Sequence, residues 1–210
     1  MNKIKESAPL PYPPAPWRSS GCLWMGLFKT DAPPPLPEGL KRLLNPNWLV
    51  VSLIRYLEGT LKYDELVIGG FVRRGRRLGL FVYDIWVDDE TSLWGGRRIW
   101  GLRKEMADFA WDGGSVRVSD EDGLILTLVV NDAKDATRLP RMWTPFPGLS
   151  RLDGQWLFTP AGMWARFGKG GVHLDEWSER FPYRPAEKPM FSLRADPFHI
   201  AVPSPKVLRG

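Results

Sequence analysis

Apolar and polar residues along this chain alternate two by two far more often than they recur every three or four positions, and alternation is the pattern of strands. The strongest instance is "DELVIGGFVRR" followed by "RRLGLFVYDIWVDD", two runs rich in β-branched and aromatic residues on either side of an Arg-Gly-Arg tip. They predict a hairpin. In its second arm Leu80, Val82, Asp84 and Trp86 share one face, while Phe81, Tyr83, Ile85 and Val87 share the other. The second face is wholly apolar and is expected to look inward. A second hairpin is predicted in "GSVRVSDEDGLILTLVV", where Asp120 to Gly123 supply the turn. "GCLWMGLFKT" and "NWLVVSLIRYLEG" read as strands, as do the Pro- and Gly-punctuated stretches "QWLFTPAGMWARFGKGGVHLDEW" and "PMFSLRADPFHIAVPSPKVL". Helical spacing is confined to a proline-bounded piece from Pro37 to Leu44 and to "KEMADFAW". Gly95-Gly96 reads as a turn, and Asp88, Asp89 and Glu90 as a solvated one.

Many short strands with few short helices predict a mainly β (β-rich α+β) fold, an antiparallel cone-like or closed β-barrel around one core. Composition refines this picture. With 210 residues the chain fits one domain with a tail, since one core serves roughly 100–250 residues. Residues 1–20 are expected to form a Pro-rich arm anchored by Trp17, and residues 21–210 a single domain. Eleven tryptophans must be buried or must line something, and a β-rich interior walled by aromatics suits a small-molecule cavity.

The formal charge of +5 raises the question of nucleic acid, but the basic residues are scattered. Their one dense cluster, Arg73, Arg74, Arg76 and Arg77, sits on the hairpin tip, so no nucleic-acid partner is expected. No run reaches the roughly 18 apolar residues of a membrane span, and "MNKIKESAPLPYPPAPW" has charge and proline where a signal peptide needs an apolar stretch. The expectation is a cytoplasmic protein without a membrane partner. Cys22, the one cysteine, with only His173 and His199 beside it, makes no metal-binding set, so neither metal nor cofactor is expected.

The candidate chemistry lies in "GGRRIWGLRKEMADF", around Lys104. A free lysine amine titrates near ~10.4 and is protonated at neutral pH. Apolar surroundings or a nearby cation disfavour the ammonium and turn such an amine into a nucleophile for Schiff-base formation. Ile99, Trp100, Leu102, Met106 and Phe109 supply apolar neighbours in sequence, and Arg97, Arg98 and Arg103 supply cations. This stretch resembles the signature of the acetoacetate decarboxylase superfamily, whose reactive lysine falls on Lys104. Upstream, "GTLKYDELVI" resembles the family's Tyr-x-Glu stretch and places its pocket glutamate on Glu65, while "VYDIWVDDETSLWGG" resembles the strand leading into the signature. The resemblance covers residues 10–131 well.

The resemblance implies a cone-like acetoacetate decarboxylase-like fold, imine formation between Lys104 and a keto acid or polyketide-like carbonyl substrate, an iminium that accepts electrons from a breaking bond, and Glu65 as proton shuttle. It also implies a homo-oligomer. Arg97, Tyr63, Trp100 and Glu105 are the substrate-binding candidates. The chain departs from the family pattern at four points. Glu105 stands where a second lysine follows the reactive one, and Arg103 where a proline precedes it. Counted without gaps, the family's carboxylate-binding arginine falls on Gly21 and its second pocket glutamate on Val50. The expected enzyme is therefore a lyase of decarboxylase or aldolase/dehydratase type, not acting on acetoacetate itself. Two other readings stay open: a cyclase or isomerase using the same cavity without an imine, and a non-catalytic binding protein.

Overall fold

The computed structural model describes residues 11–131 and 140–208. Strands β1 (Trp17–Lys29), β2 (Lys41–Arg42), β3 (Trp48–Gly59), β4 (Tyr63–Arg74) and β5 (Arg77–Val87) lead into helix α1 (Glu90–Trp100). Then follow β6 (Lys104–Met106), β7 (Asp108–Asp112), β8 (Ser115–Asp120), β9 (Gly123–Asn131), β10 (Met142–Pro145), β11 (Gly148–Leu152), β12 (Gln155–Thr159), β13 (Gly162–Lys169), β14 (Gly171–Trp177), β15 (Phe191–Val202) and β16 (Lys206–Leu208).

Twelve strands form one sheet in the order β10-β13-β15-β1-β3-β4-β5-β11-β12-β16, with β2 on β4 and β6 on β5. Its ends do not pair, so the closed barrel is corrected to an open sheet. Met163 of β13 and Thr159 of β12, far apart in that order, nevertheless line one cavity, so the sheet curls on itself. A four-stranded sheet, β14-β9-β8-β7, covers its outer face. The main core lies between the two sheets: Phe28, Leu49, Leu53, Leu66 and Ile68 of the large sheet meet Val116, Ile125, Leu126 and Leu128 of the small one.

Both predicted hairpins form, β4–β5 with its tip at Gly75 and β8–β9 with its turn at Glu121-Asp122. The expected face of β5 is half right. A bulge at Tyr83, where Ile68 pairs with Asp84 but Gly69 with Val82, breaks the alternation. Leu80, Val82 and Ile85 therefore turn into the curled sheet, whereas Phe81, Tyr83, Asp84 and Trp86 face outward. Gly70 permits this, since a Cβ there would lie 2.4 Å from the Tyr83 hydroxyl.

Neither predicted helix exists. The segment at Pro37–Leu44 is a turn followed by β2, because its backbone pairs with β4 at Arg73 and Val72. "KEMADFAW" becomes β6 and β7, because β5 and β8 offer both of them hydrogen-bonding partners. The helix lies immediately upstream instead. Asp89 caps it by accepting from the Ser92 N–H at 2.6 Å, Glu90 favours its first turn and Arg97 and Arg98 its last, and Gly101 closes it at φ 63°. Gly95-Gly96 is thus helical. A Cβ on Gly95 would lie 2.4 Å from the Trp17 ring, and one on Gly96 would lie 2.6 Å from Lys104 Cδ. The pair is present for close approach, at a helix-propensity cost of about 1 kcal/mol each.

Trp17 is buried where β1 begins, its Nε1 donating to the Pro13 carbonyl at 2.8 Å and its ring set edge-on to Trp100 at 4.8 Å.

Candidate active site

β6 runs parallel to β5, with Lys104 beside Ile85, and β4 pairs with the other edge of β5, with Glu65 beside Val87. Lys104 and Glu65 thus stand two positions out of register across one strand, on the same face. Their side chains meet over it, Nζ to Oε2 at 2.6 Å, and are only 4% and 7% exposed. The Lys104 ammonium also donates to Ser92 Oγ of α1 at 2.8 Å. Glu65 in turn accepts from the Tyr63 hydroxyl at 3.3 Å and from the Tyr56 hydroxyl at 3.2 Å. Tyr56 and Tyr63 are direct cross-strand partners on β3 and β4, their rings 4.5 Å apart. Burial, and next the Glu65 charge, hold both phenols well above their usual range. They stay protonated and keep donating to the carboxylate.

An apolar cavity of about 150 Å³ adjoins this cluster inside the curled sheet. Leu23, Ile54, Val67, Met163, Phe198 and Ile200 are among its walls, and Tyr56 and Glu65 form a polar end. The Lys104 amine lies behind the Glu65 carboxylate and is not itself part of the wall.

The sequence-predicted residues divide accordingly. Lys104, Glu65 and Tyr63 come together. Trp100 lines the cavity, with its Nε1 on the Pro203 carbonyl at 2.8 Å. Arg97 braces the chain, its Nε donating to the Lys104 carbonyl at 2.7 Å, so it holds the backbone and not a ligand in the cavity. Glu105 is exposed and faces an outer groove with Arg103, whose guanidinium donates to the Tyr83 carbonyl. The expected cationic neighbours therefore lie elsewhere: Arg103 and Glu105 alternate to the opposite side of the sheet from Lys104, and Arg98 is exposed, over the Trp94 ring. Asp88 and Asp89 are not merely a solvated turn, since Asp88 accepts from the Asp64 N–H at 2.8 Å and Asp89 caps α1. His173 and His199 are exposed. Gly21 has no room for a side chain, as a Cβ would lie 1.8 Å from the Arg55 carbonyl oxygen, and Val50 is buried among apolar residues.

Sequence reading missed Tyr56 and Ser92. Tyr56 was accessible in principle, because the short turn between β3 and β4 sets it opposite Tyr63. Ser92 carried no signal while its helix was unrecognised.

The family model for acetoacetate decarboxylase matches residues 7–151, and this chain belongs to that family. Solved structures share the fold at low identity. An acetoacetate decarboxylase from Legionella pneumophila subsp. pneumophila str. Philadelphia 1 is 19% identical with a TM-score of 0.68, over 98% of this chain and 94% of that one. The enduracididine biosynthesis enzyme MppR complexed with pyruvate is 15% identical with a TM-score of 0.65, over 97% and 93%. An acetoacetate decarboxylase-like enzyme from Sphingomonas wittichii RW1 is 16% identical with a TM-score of 0.60, over the full length of both chains. No curated protein sequence matches.

Proposed function

We propose that this protein is an acetoacetate decarboxylase-like lyase in which Lys104 forms an imine with a carbonyl substrate, a keto acid or polyketide-like ketone other than acetoacetate. The observation that carries this reading is the Lys104–Glu65 pair, sealed from water at the end of an apolar cavity. Two opposite charges in a dry site are costly to keep, and passing one proton from the ammonium to the carboxylate removes both. The resulting amine can attack a carbonyl carbon. Glu65 then returns the proton so that the carbinolamine loses water, leaving an iminium beside a carboxylate. The iminium takes up the electron pair of a breaking carbon–carbon bond, whether carbon dioxide or an aldehyde departs, and Glu65 moves the proton to or from the enamine carbon. The fold is compatible with condensation chemistry of this kind, since MppR, which shares it, has been solved with the condensation product of pyruvate and imidazole 4-carboxaldehyde.

Borohydride added with substrate should reduce the imine and leave a covalent adduct on Lys104. An unmodified lysine across a panel of keto acids and ketones would overturn the reading. A second reading, a cyclase or isomerase working by acid–base catalysis alone, is favoured by one observation: Glu65 and Tyr56 wall the cavity whereas the amine stands behind them. Lys104→Arg separates the two, because arginine keeps the charge and forms no imine. Retained turnover in that variant would select the second reading.

A further inference from the structure

Charge balance in the cavity bears on which carbonyl compounds can enter it. Among the described residues that line it, Glu65 is the sole charged one, and none is a lysine, arginine or histidine. The Lys104 cation is already matched by Glu65, 2.6 Å away. Once an imine forms on a neutral ketone, one iminium faces one carboxylate and the site is neutral. With a keto acid the substrate's carboxylate adds a second anion to the same apolar chamber. That anion has no cation to meet among the described lining residues, and it is repelled by Glu65 in a medium that screens poorly. The position where the family pattern has a carboxylate-binding arginine is Gly21, which cannot hold a side chain.

The polar groups present suit a neutral oxygen instead. Ser52, on the β3 wall, has a buried hydroxyl that makes no hydrogen bond to any described residue. A hydroxyl can serve a neutral carbonyl or hydroxyl group, whereas a buried carboxylate needs charge or several donors. Size sets a further bound. An apolar cavity of the 150 Å³ found here is, in another protein, large enough for one benzene ring.

We infer that the substrate is a neutral ketone or aldehyde carrying a single apolar tail of about six to eight carbons, an inference that rests on the imine reading above and narrows it. The minimal reaction follows. Lys104 Nζ bonds to the carbonyl carbon and the oxygen leaves as water. Glu65 then takes a proton from the α-carbon and the electron pair moves to nitrogen, giving an enamine. Reprotonation at carbon and hydrolysis restore ketone and lysine. In heavy water each cycle replaces α-hydrogen by deuterium.

The test compares 2-octanone and 4-phenyl-2-butanone with 2-oxooctanoate, a keto acid of matching length. Three readouts are followed with the intact chain: α-deuteration by NMR, borohydride trapping on Lys104, and thermal stabilisation. Neutral ketones should be deuterated and trapped at least about tenfold faster than the keto acid, which pays for burying an unmatched charge. Stabilisation should follow the same order. Glu65→Gln leaves Lys104 as the unmatched charge, and in that variant the stabilisation order should reverse in favour of the keto acid. Trapping of 2-oxooctanoate as fast as the ketones overturns the inference while leaving the imine intact. Stabilisation by ketones alone, with no deuteration or trapping, upholds the neutral-ligand cavity and sinks the imine.

Discussion

The two faces of β5 and β6 carry residues adjacent in sequence and do opposite things with charge. Inside, Lys104 and Glu65 are sealed together with two tyrosines and a serine beside a small apolar cavity. Outside, Arg103, Glu105, Asp84, Asp120 and Arg180 border a groove of about 630 Å³ open to solvent, where Arg180 pairs with Asp120 at 2.9 Å. Arg103 and Glu105 are exposed there, so water screens each of them separately and either can be spared, whereas Asp84 and the Arg180–Asp120 pair are partly buried. On the inner face no water replaces a lost partner. A charge adjacent to Lys104 in sequence is therefore a poor guide to the charge adjacent to it in space.

This contrast can be broken at graded points. Replacing Lys104 by methionine should abolish the borohydride adduct, with loss of turnover of about a thousandfold or more, read by intact-mass spectrometry and steady-state assay. Glu65→Gln should lower turnover by about 10²–10⁴. The same variant should lose about 3–5 kcal/mol in chemical denaturation, because it strands a buried ammonium.

The two helical glycines sharpen the picture further. Gly96→Ala pushes on the Lys104 stem and Gly95→Ala on the Trp17 ring, each overpacking by about 1–3 kcal/mol. Similar losses of stability are expected, but only Gly96→Ala should also depress turnover, by displacing Nζ from Glu65 and Ser92. Equal turnover in the two variants would mean that the stem position is not critical.

Effects on the outer face should be the smallest. Glu105→Gln is expected to shift stability by less than about 0.5 kcal/mol and to leave turnover unchanged; a large loss would show that the two faces communicate. Asp84 gives a pH signature. Burial raises its carboxyl above the ordinary value, with Arg103, Tyr183 and Arg180 offsetting only part of that effect. The folded state then holds its proton longer than the unfolded chain, so stability falls as pH rises from the usual carboxylate range through the raised value. Asp84→Asn should flatten that decline, as followed by melting temperature against pH. Cys22 offers a related check: burial and Asp196 push its thiol up to about 11, so alkylation near neutral pH should be slow.

What was legible in the chain followed from local periodicity. The β4–β5 and β8–β9 hairpins and the long apolar β3 can all be read from alternation and turn residues, because each depends mainly on neighbours within a dozen positions. The site was legible only through a family-like signature, which singled out Lys104 and Glu65 and with them the adjacent Tyr63. Helix α1 had its punctuation in plain view, Asp89 before, Glu90 in the first turn and Gly101 after, yet Gly95-Gly96 disguised it. Those glycines are explained only by what packs on them, Trp17 and the Lys104 stem, neither of which a local reading places.

By itself, then, the sequence determined a β-rich fold and singled out Lys104 as a candidate, since strand periodicity and a short signature are local properties. Tertiary structure alone decided which side of the sheet each charge occupies. One extra residue at the Tyr83 bulge reverses the alternation of β5, and the parallel pairing of β6 to β5 turns Lys104 inward and its two neighbours outward. Register between strands is set by pairing across the sheet, and no short window of sequence contains both partners.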